Sequence, residues 1–489
     1  MTIFATILYT LWQIVNVLLF IYVIVETVLL ISSFIREKRI NLPKQKESNL
    51  PKVCIQLPVF NEKYVIERLL ASVTKIEYPR ELLEIQVLDD STDETSTIIS
   101  EYIANHPEEN IQHIQRNDRS GFKAGALDYG LKKTDAKFIA IFDADFIPKP
   151  DFLKTSLPYF FENAQVGVVQ SRWAHTNEHF SFLTRAQAIM LNTHFSIEQM
   201  GRTKSGAFIN FNGTAGIWRK ECIEDAGGWK SDTLTEDLDL SFRAQSRGWK
   251  FQYLHNLTSP AELPVTLDAY KTQQFRWSKG AAECIRKNLI PLWKSPASFW
   301  AKFAGSFHLF NSSIYIIVLL LIIASPLIFW LKNLGYIDAS KESFINFATI
   351  FTSCALPFIF LVGHIRAKSI KPLQIILFPI QFYLFLAIST GISLYMVLGV
   401  IQGYLGNQSP FIRTPKFNLS TDKKEVESEE YTTKKEVNIK GIEFALLLYA
   451  IFVFTLGIIY ANIFMFLYAL LMIIGFSLKL FAAQKVFKF

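Results

Sequence analysis

Residues 52–57 read KVCIQL, 84–90 read EIQVLDD, 111–116 read IQHIQR and 137–145 read KFIAIFDAD. KVCIQL reads as a buried strand, and the other three repeat its short, β-rich pattern. Helical stretches lie between them: residues 63–75, DETSTIISEYIANH at 93–106 and GFKAGALDYGLKK at 121–133. This alternation predicts a mostly parallel sheet with helices on both faces. Ligands of such sheets bind beyond the carboxyl ends of the strands. Acids stand at those ends, Asp89 and Asp90 after one strand, Asp143 and Asp145 after another.

Outward from this block the composition changes. Half of the 489 residues are apolar, yet 19% are charged. The average conceals two populations: residues 1–34 and 306–489 carry long apolar runs, and 41–294 resemble an ordinary globular domain. The run 3–34 is too long for a signal peptide and has neither a basic start nor a small-residue cleavage site, so it reads as a retained membrane helix. REKRINLPKQK at 36–46 then marks the cytoplasmic side. Further spans are predicted at 309–331, 347–362, 441–460 and 462–480, and the amphipathic run 293–307 is expected to lie along the interface. Residues 372–405 are apolar but interrupted by Pro379, Gly391 and Gly399. If they cross, the polar segment 406–440 faces outside. If they lie in the interface or re-enter, that segment stays inside with HIRAKSIK at 364–371 and the C-terminal lysines. The expectation is the second arrangement, with five crossings; a simple crossing is its alternative. The net charge of +7 suits a membrane surface, and no basic run with interleaved aromatics points to nucleic acid. Cys54, Cys222, Cys284 and Cys354 show neither metal-ligand nor pairing spacing and read as reduced.

Several clusters carry chemistry, each with a plainer alternative. Asp143 and Asp145 form a donor set for a hard divalent cation shared with a diphosphate, although surface acids also produce this spacing. Asp89 and Asp90 can accept hydrogen bonds from a base and a ribose; alternatively, Ser91 or Asp93 caps the next helix. RSGFKAG at 119–125 opens a helix whose free N–H groups and Lys123 suit a diphosphate; an ordinary loop-to-helix join is the alternative. Gly213 and Thr214, in NGTAG, let a sugar approach the backbone or simply make a tight turn. In 233–280, Thr235 is placed to cap a helix. Glu236 and Asp237 then either complement its dipole, or Asp237 is a general base for an acceptor hydroxyl. Gln273, Arg276 and Trp277 share one helical face. The guanidinium suits phosphate oxygens and the indole suits a sugar ring; an interfacial aromatic beside a snorkelling arginine has the same look.

Read together, LPVFNE (57–62), VLDDSTD (87–93), GFKAGAL (121–127), FDADFIPKPDFL (142–153), VQSRW (169–173), NGTAG (212–216), TEDLDLSFRAQSRGWKF (235–251) and ELPVTLDAYKTQQFRWSKG (262–280) resemble family 2 glycosyltransferases of the cellulose synthase superfamily. Within it they are similar to the cellulose synthase-like mannan and glucan synthases. The resemblance covers roughly residues 53–416. It implies an α/β, Rossmann-like GT-A domain beside a bundle of transmembrane helices, and inverting transfer from a nucleotide sugar, UDP-glucose or GDP-mannose. Asp89 and Asp90 would hold the nucleoside, Lys123 the diphosphate, and Asp143 and Asp145 Mg²⁺ or Mn²⁺. Asp237 would be the base, with Glu236, Gly213, Thr214 and Trp277 toward the acceptor. Gln273, Arg276 and Trp277 would also face the donor diphosphate. FIRTPK at 411–416 resembles the gating loop FxVTxK, which brings Thr414 and Lys416 over the donor; Arg413 stands where that loop usually has valine. With no regulatory domain expected after the last span, cyclic-dinucleotide control of the kind in bacterial cellulose synthases would be expected to need another subunit.

The expected protein is a membrane-embedded, processive β-glycosyltransferase with a growing polysaccharide as acceptor, exporting its product through its own helices. Membrane lipids and export or regulatory subunits are the expected partners. A lipid glycosyltransferase adding a single sugar is the alternative; a transporter or inactive scaffold fits the intact acids poorly. The expected plan is an N-terminal helix (1–36), a cytoplasmic GT-A domain (41–294), interfacial helices with two spans (295–405), a cytoplasmic gating segment (406–440) and two final spans (441–489). The expected setting is the cell (inner) membrane.

Overall fold

A computed structural model describes residues 2–36, 50–338, 343–368, 372–418 and 439–481. Nearly all of the basic run at 36–46, the end of HIRAKSIK, most of 406–440 and the lysines beyond 481 lie outside the described residues.

The strands are β1 (Val53–Val59), β2 (Leu83–Asp89), β3 (Ile111–Gln115), β4 (Phe138–Ile141), β5 (Val166–His175), β6 (Gly216–Arg219) and β7 (Lys250–Ala261). They form one sheet in the order β3-β2-β1-β4-β6-β5-β7. The four strands expected from sequence pair in parallel, as do β5 and β7. The departure from the parallel expectation is β6, antiparallel to both β4 and β5. After β5 the chain makes a helical excursion and re-enters the sheet from the edge where the other strands end, so β6 runs backwards.

The helices of this half are α2 (Ile66–Val73), α3 (Thr95–Asn105), α4 (Phe122–Leu131), α5 (Phe152–Ser156), α6 (Pro158–Glu162), α7 (Phe182–Thr193), α8 (Met200–Ser205), α9 (Lys220–Asp225), α10 (Glu236–Ser246) and α11 (Leu267–Lys294), after the N-terminal α1 (Thr2–Ser33). Alternate strand residues serve opposite faces. Val53, Ile55 and Leu57 pack with Ile66, Leu69 and Leu70 of α2, whereas Cys54, Ile139 and Ile141 pack with Leu127 of α4 and Leu240 of α10. Covering both faces explains why β1, β2 and β4 read as near-continuous apolar runs.

The remaining helices are α12 (Phe299–Phe310), α13 (Ile314–Asn333), α14 (Ser343–Ala367), α15 (Pro372–Leu405), α16 (Lys440–Ile459) and α17 (Ile463–Phe481). Among the described residues, six helical stretches are long and apolar enough to cross a membrane: Ile3–Ser33, Phe299–Asn333, Ser343–Ala367, Pro372–Leu405, Lys440–Ile459 and Ile463–Phe481. Such a set supports a multi-pass membrane protein. α15 corrects one expectation, because it runs unbroken through Pro379, Gly391 and Gly399. Its glycines serve close packing instead. A Cβ on Gly391 would lie 2.2 Å from the Gly475 carbonyl of α17, and one on Gly403 would lie 2.6 Å from the Lys279 carbonyl of α11. In its most apolar stretch α15 is 61% buried, against at most 39% in the other five. Phe378, Phe382, Phe385 and Met396 pack with Leu183 and Ile189 of α7 and Tyr270 of α11.

Candidate active site

The carboxyl ends of the strands open into a cavity of about 220 Å³ lined by Asp90, Lys123, Asp143, Asp145, Gly213, Glu236, Asp237, Gln273, Arg276, Trp277, Thr414 and Lys416. The structure therefore brings twelve of the fourteen predicted site residues onto one wall system; Asp89 and Thr214 lie behind it.

Asp237 sits in the first turn of α10. Burial, then the neighbouring Glu236, pushes its carboxyl up to about 7, against the pull of Lys123. Burial also raises Glu236, with Lys123 opposing. Thr235 occupies the cap position, but its side chain makes no cap bond; it packs into α11, where a Cβ on Gly280 would meet its Cγ2 at 2.5 Å. That close approach sets Asp237 beside the helix bearing Gln273, Arg276 and Trp277. Asp239 fastens the same joint, accepting from Arg243 at 2.9 Å, Lys287 at 3.0 Å and Asn288 at 3.0 Å. Gly213 has φ +78°, and a Cβ there would point at Asp237 Oδ2 at 3.4 Å, so glycine leaves the space in front of that carboxyl open.

Beside it, Lys123 Nζ donates to Asp143 Oδ1 at 2.5 Å and to the Gly213 carbonyl at 2.9 Å. Burial works against its charge, but Asp143 and Glu236 outweigh it and hold the ammonium above its usual pKa. Thr214 is fully buried and acts on Asp143 from behind, its Oγ1 accepting the Asp143 N–H at 2.8 Å. Asp145 Oδ2 accepts from Lys416 Nζ at 2.7 Å and from the Glu262 N–H at 3.0 Å.

Asp89 and Asp90 part company. Asp89 ends β2 pointing inward, where its carboxylate takes His113 Nε2 at 2.8 Å, Ser96 Oγ at 2.6 Å and the Ser91 N–H at 2.9 Å. Burial alone would raise its pKa; these hydrogen bonds outweigh it and hold the carboxyl well below the usual range. Asp90 reaches the cavity wall and is gripped in bidentate fashion by Arg116, whose Nε lies 2.9 Å away. Neither proposed helix cap forms: Ser91 Oγ accepts from the Asn61 N–H, and Asp93 closes a turn onto the Thr95 N–H.

Over the cavity lies the segment 411–418. Arg276 Nη2 donates to Thr414 Oγ1 at 2.9 Å, and its guanidinium stacks over Phe411 at 4.4 Å. Burial lowers the Arg276 pKa to about 10, with Glu236 and Asp143 resisting. Arg413, the residue that departs from the gating-loop pattern, forms a two-pronged pair with Glu62 at 2.7 and 2.8 Å. Arg68 ties down Asn418 at 2.7 Å, and Glu262 accepts the Phe417 N–H at 2.8 Å.

Sequence reasoning missed Glu62, Glu262, Trp173 and His175 as cavity residues. Glu62 and Trp173 lie in the quoted LPVFNE and VQSRW without a role of their own. Glu262 opened the quoted ELPVTLDAYKTQQFRWSKG without a role, and His175 gave no signal, since a lone residue near a strand end acquires meaning only from the fold.

Residues 51–280 match the family model described as "Glycosyltransferase like family 2". The chain is 44% identical over 262 residues to glucomannan 4-beta-mannosyltransferase 2 of Arabidopsis thaliana, covering 52% of this chain and 49% of the relative. It is 40% identical over 278 residues to glucomannan 4-beta-mannosyltransferase 1 of Oryza sativa subsp. japonica, covering 55% and 53%. The chain thus spans about half the length of the curated relatives it matches. Among solved structures, a mannosyltransferase from Pyrobaculum calidifontis, in complex with GDP-Man and Mn²⁺, superposes with a TM-score of 0.52 at 18% identity, covering 83% of this chain and 99% of that one. That likeness establishes a shared fold, a GT-A-type mixed sheet. On the matched domain and these relatives, the chain is similar to the family 2 glycosyltransferases of the cellulose synthase-like, mannan synthase-like kind.

Proposed function

We propose that this chain is a membrane-embedded, inverting β-glycosyltransferase that lengthens a mannan or glucan processively from GDP-mannose or UDP-glucose. The observation that carries this reading is the meeting, in one cavity, of Asp237, the cation-bound pair Asp143 and Asp145, and the Gln273, Arg276 and Trp277 face. The names of the plant relatives favour mannose.

Asp237 takes the proton of an acceptor hydroxyl while that oxygen attacks the donor's anomeric carbon from the face opposite the nucleotide. The bond from that carbon to the diphosphate oxygen breaks, and the configuration inverts. Lys123, Arg276 and Lys416 receive the charge left on the nucleoside diphosphate. A carboxyl pKa near 7 makes Asp237 a stronger base than an exposed aspartate while leaving it ionised in mildly alkaline solution.

Asp143 and Asp145 offer hard oxygen donors that suit Mg²⁺ or Mn²⁺, and each already holds a cation, the ammonium of Lys123 or Lys416. Among the described residues no third His, Cys, Asp or Glu joins them in a metal-binding group, so diphosphate oxygens and water would complete the coordination. When bound, such an ion neutralises charge on the departing diphosphate.

The cavity, about 220 Å³, is smaller than the roughly 300–1,000 Å³ of typical ligand pockets. Residues 411–416 fill part of it, so they move aside or re-seat when a nucleotide sugar enters. The proposed arrangement lays α15 along the boundary between membrane and catalytic domain; its packing on α7 and α11 supports this, while its contact with α17 is shared with a full crossing. With five crossings, 406–418 would stay on the catalytic side, as a cytoplasmic domain at the cell membrane requires.

The test is nucleotide release by the full chain in lipid, offered GDP-mannose or UDP-glucose with and without Mn²⁺, followed by product sizing. Metal-dependent release with a ladder of glycans is expected. A single glycolipid product would favour the lipid-acceptor reading, and no release from either donor would refute the transferase reading.

A further inference from the structure

One wall of the cavity is polar and takes no part in the transfer just described. The β5–β7 pairing slips register between Ser171 and Arg172, and irregularities beside a site re-aim the side chains that follow. Trp173 and His175 come next, and both line the cavity. The Trp173 indole is fixed edge-on to Phe146 at 5.2 Å and against Phe195 at 5.3 Å, yet its buried Nε1–H has no acceptor. His175 Nε2 is also buried without a hydrogen-bond partner. Burial pushes this imidazole down to about 4, so at neutral pH it is uncharged and its free nitrogen can donate or accept, according to tautomer. Asn212 completes the group. Its Oδ1 accepts from Asn210 at 2.7 Å, while its Nδ2 is buried and unpartnered.

Three unpartnered buried polar atoms on one cavity wall are costly unless something arrives to satisfy them. The sheet order says where that ligand lies. Phe60, Asp90 and Asp143 follow β1, β2 and β4, on the side assigned to the nucleotide; Asn212, Trp173 and Leu263 belong to the ends of β6, β5 and β7 on the other side. Trp173 and Trp277 pack against one apolar cluster that includes Leu191 and Leu263. Two indoles beside donors and acceptors without partners complement a sugar, which has an apolar ring face and a rim of hydroxyls.

We propose that Trp173, His175 and Asn212 form a saccharide subsite for the acceptor unit next to the one presented to Asp237, so that the preferred acceptor is a glycan of two or more units. This rests on the transferase reading above. The subsite selects acceptor length, which a donor-binding or purely structural role would not do.

The test measures KM for free mannose or glucose and for their β-linked oligosaccharides of two to four units, with the full chain in lipid bilayers at saturating nucleotide sugar. The KM is expected to fall about tenfold between one unit and two. His175→Ala and Trp173→Phe should each abolish that step while shifting the nucleotide-sugar KM only about twofold. His175→Gln, which keeps a hydrogen-bonding amide, should restore most of it. A wild-type KM independent of acceptor length overturns the subsite, as does a length step that survives both truncating variants or one that His175→Gln fails to recover. Failure to turn over any nucleotide sugar would instead strike the transferase reading, and the subsite with it; transfer without length preference strikes the subsite alone.

Discussion

On the nucleotide side of the cavity the carboxylates hold cations: Asp90 with Arg116, Asp143 with Lys123, Asp145 with Lys416, and Glu62 with Arg413. On the acceptor side, Asp237 is raised by burial, and Trp173, His175 and Asn212 keep polar atoms without partners. In the proposed transfer the first side would work by exchange, its lysines and arginines passing from carboxylates to diphosphate oxygens. The second is desolvated in advance and would be completed by hydroxyls. On that reading, a charged donor leaving as a diphosphate and a neutral acceptor surrendering a proton call for these two different environments.

The contrast can be broken from either side. The largest effect is expected from Asp237→Asn, which should lower the transfer rate by roughly 10²–10⁴-fold while nucleotide-sugar affinity, measured by calorimetry, stays close to wild type. Loss of affinity together with rate would move Asp237 to the donor side. Arg276→Ala comes next, with an expected loss of roughly 10²–10³-fold in kcat and weaker nucleoside diphosphate binding. An unchanged product-inhibition constant would take Arg276 away from the leaving group.

Arg413→Val restores the usual gating-loop residue but strands the Glu62 carboxyl, which burial already pushes up to about 7. Its thermal stability should drop by about 1–3 kcal/mol, and adding Glu62→Gln should recover most of that. If the double variant is no better than the single, the pair does not hold the segment 411–418 in place.

The smallest effect is a pH slope in stability. The Asp237 carboxyl rises from its ordinary value of 3.8 to about 7 in the fold, so the folded state keeps a proton that the unfolded state has lost. Stability contributed by this group is therefore greatest below about 3.8 and declines as pH rises to about 7. Asp237→Asn should flatten that decline in melting temperature between pH 5 and 8. An identical slope in the variant would show that the group is not desolvated.

Local pattern carried the parallel strands, the acids at their ends and the helix bearing Gln273, Arg276 and Trp277. Each depends on residues close in sequence. Other features depend on distant parts of the chain. Asp89 and Asp90 look equivalent on paper, but successive strand residues face opposite ways, so one is structural and the other reaches the wall. Gly391 and Gly399 read as helix breaks until α17 and Phe275 are seen packed against them. The Glu62–Arg413 pair joins residues 351 positions apart, and the reversal of β6 follows from where the chain re-enters the sheet. Trp173 and His175 could not be singled out from sequence, because what marks them is a missing hydrogen-bond partner inside a cavity.

The central claim is that Asp237 deprotonates a glycan acceptor while the nucleotide side manages the diphosphate. It is tested most directly by supplying the full chain, in lipid with Mn²⁺, with labelled GDP-mannose or UDP-glucose and an oligosaccharide acceptor, and sizing the product for wild type and Asp237→Asn. The account predicts a ladder of β-linked glycans from the wild type, and from the variant bound nucleotide sugar with almost no transfer. A variant that still builds the ladder at the wild-type rate would contradict it.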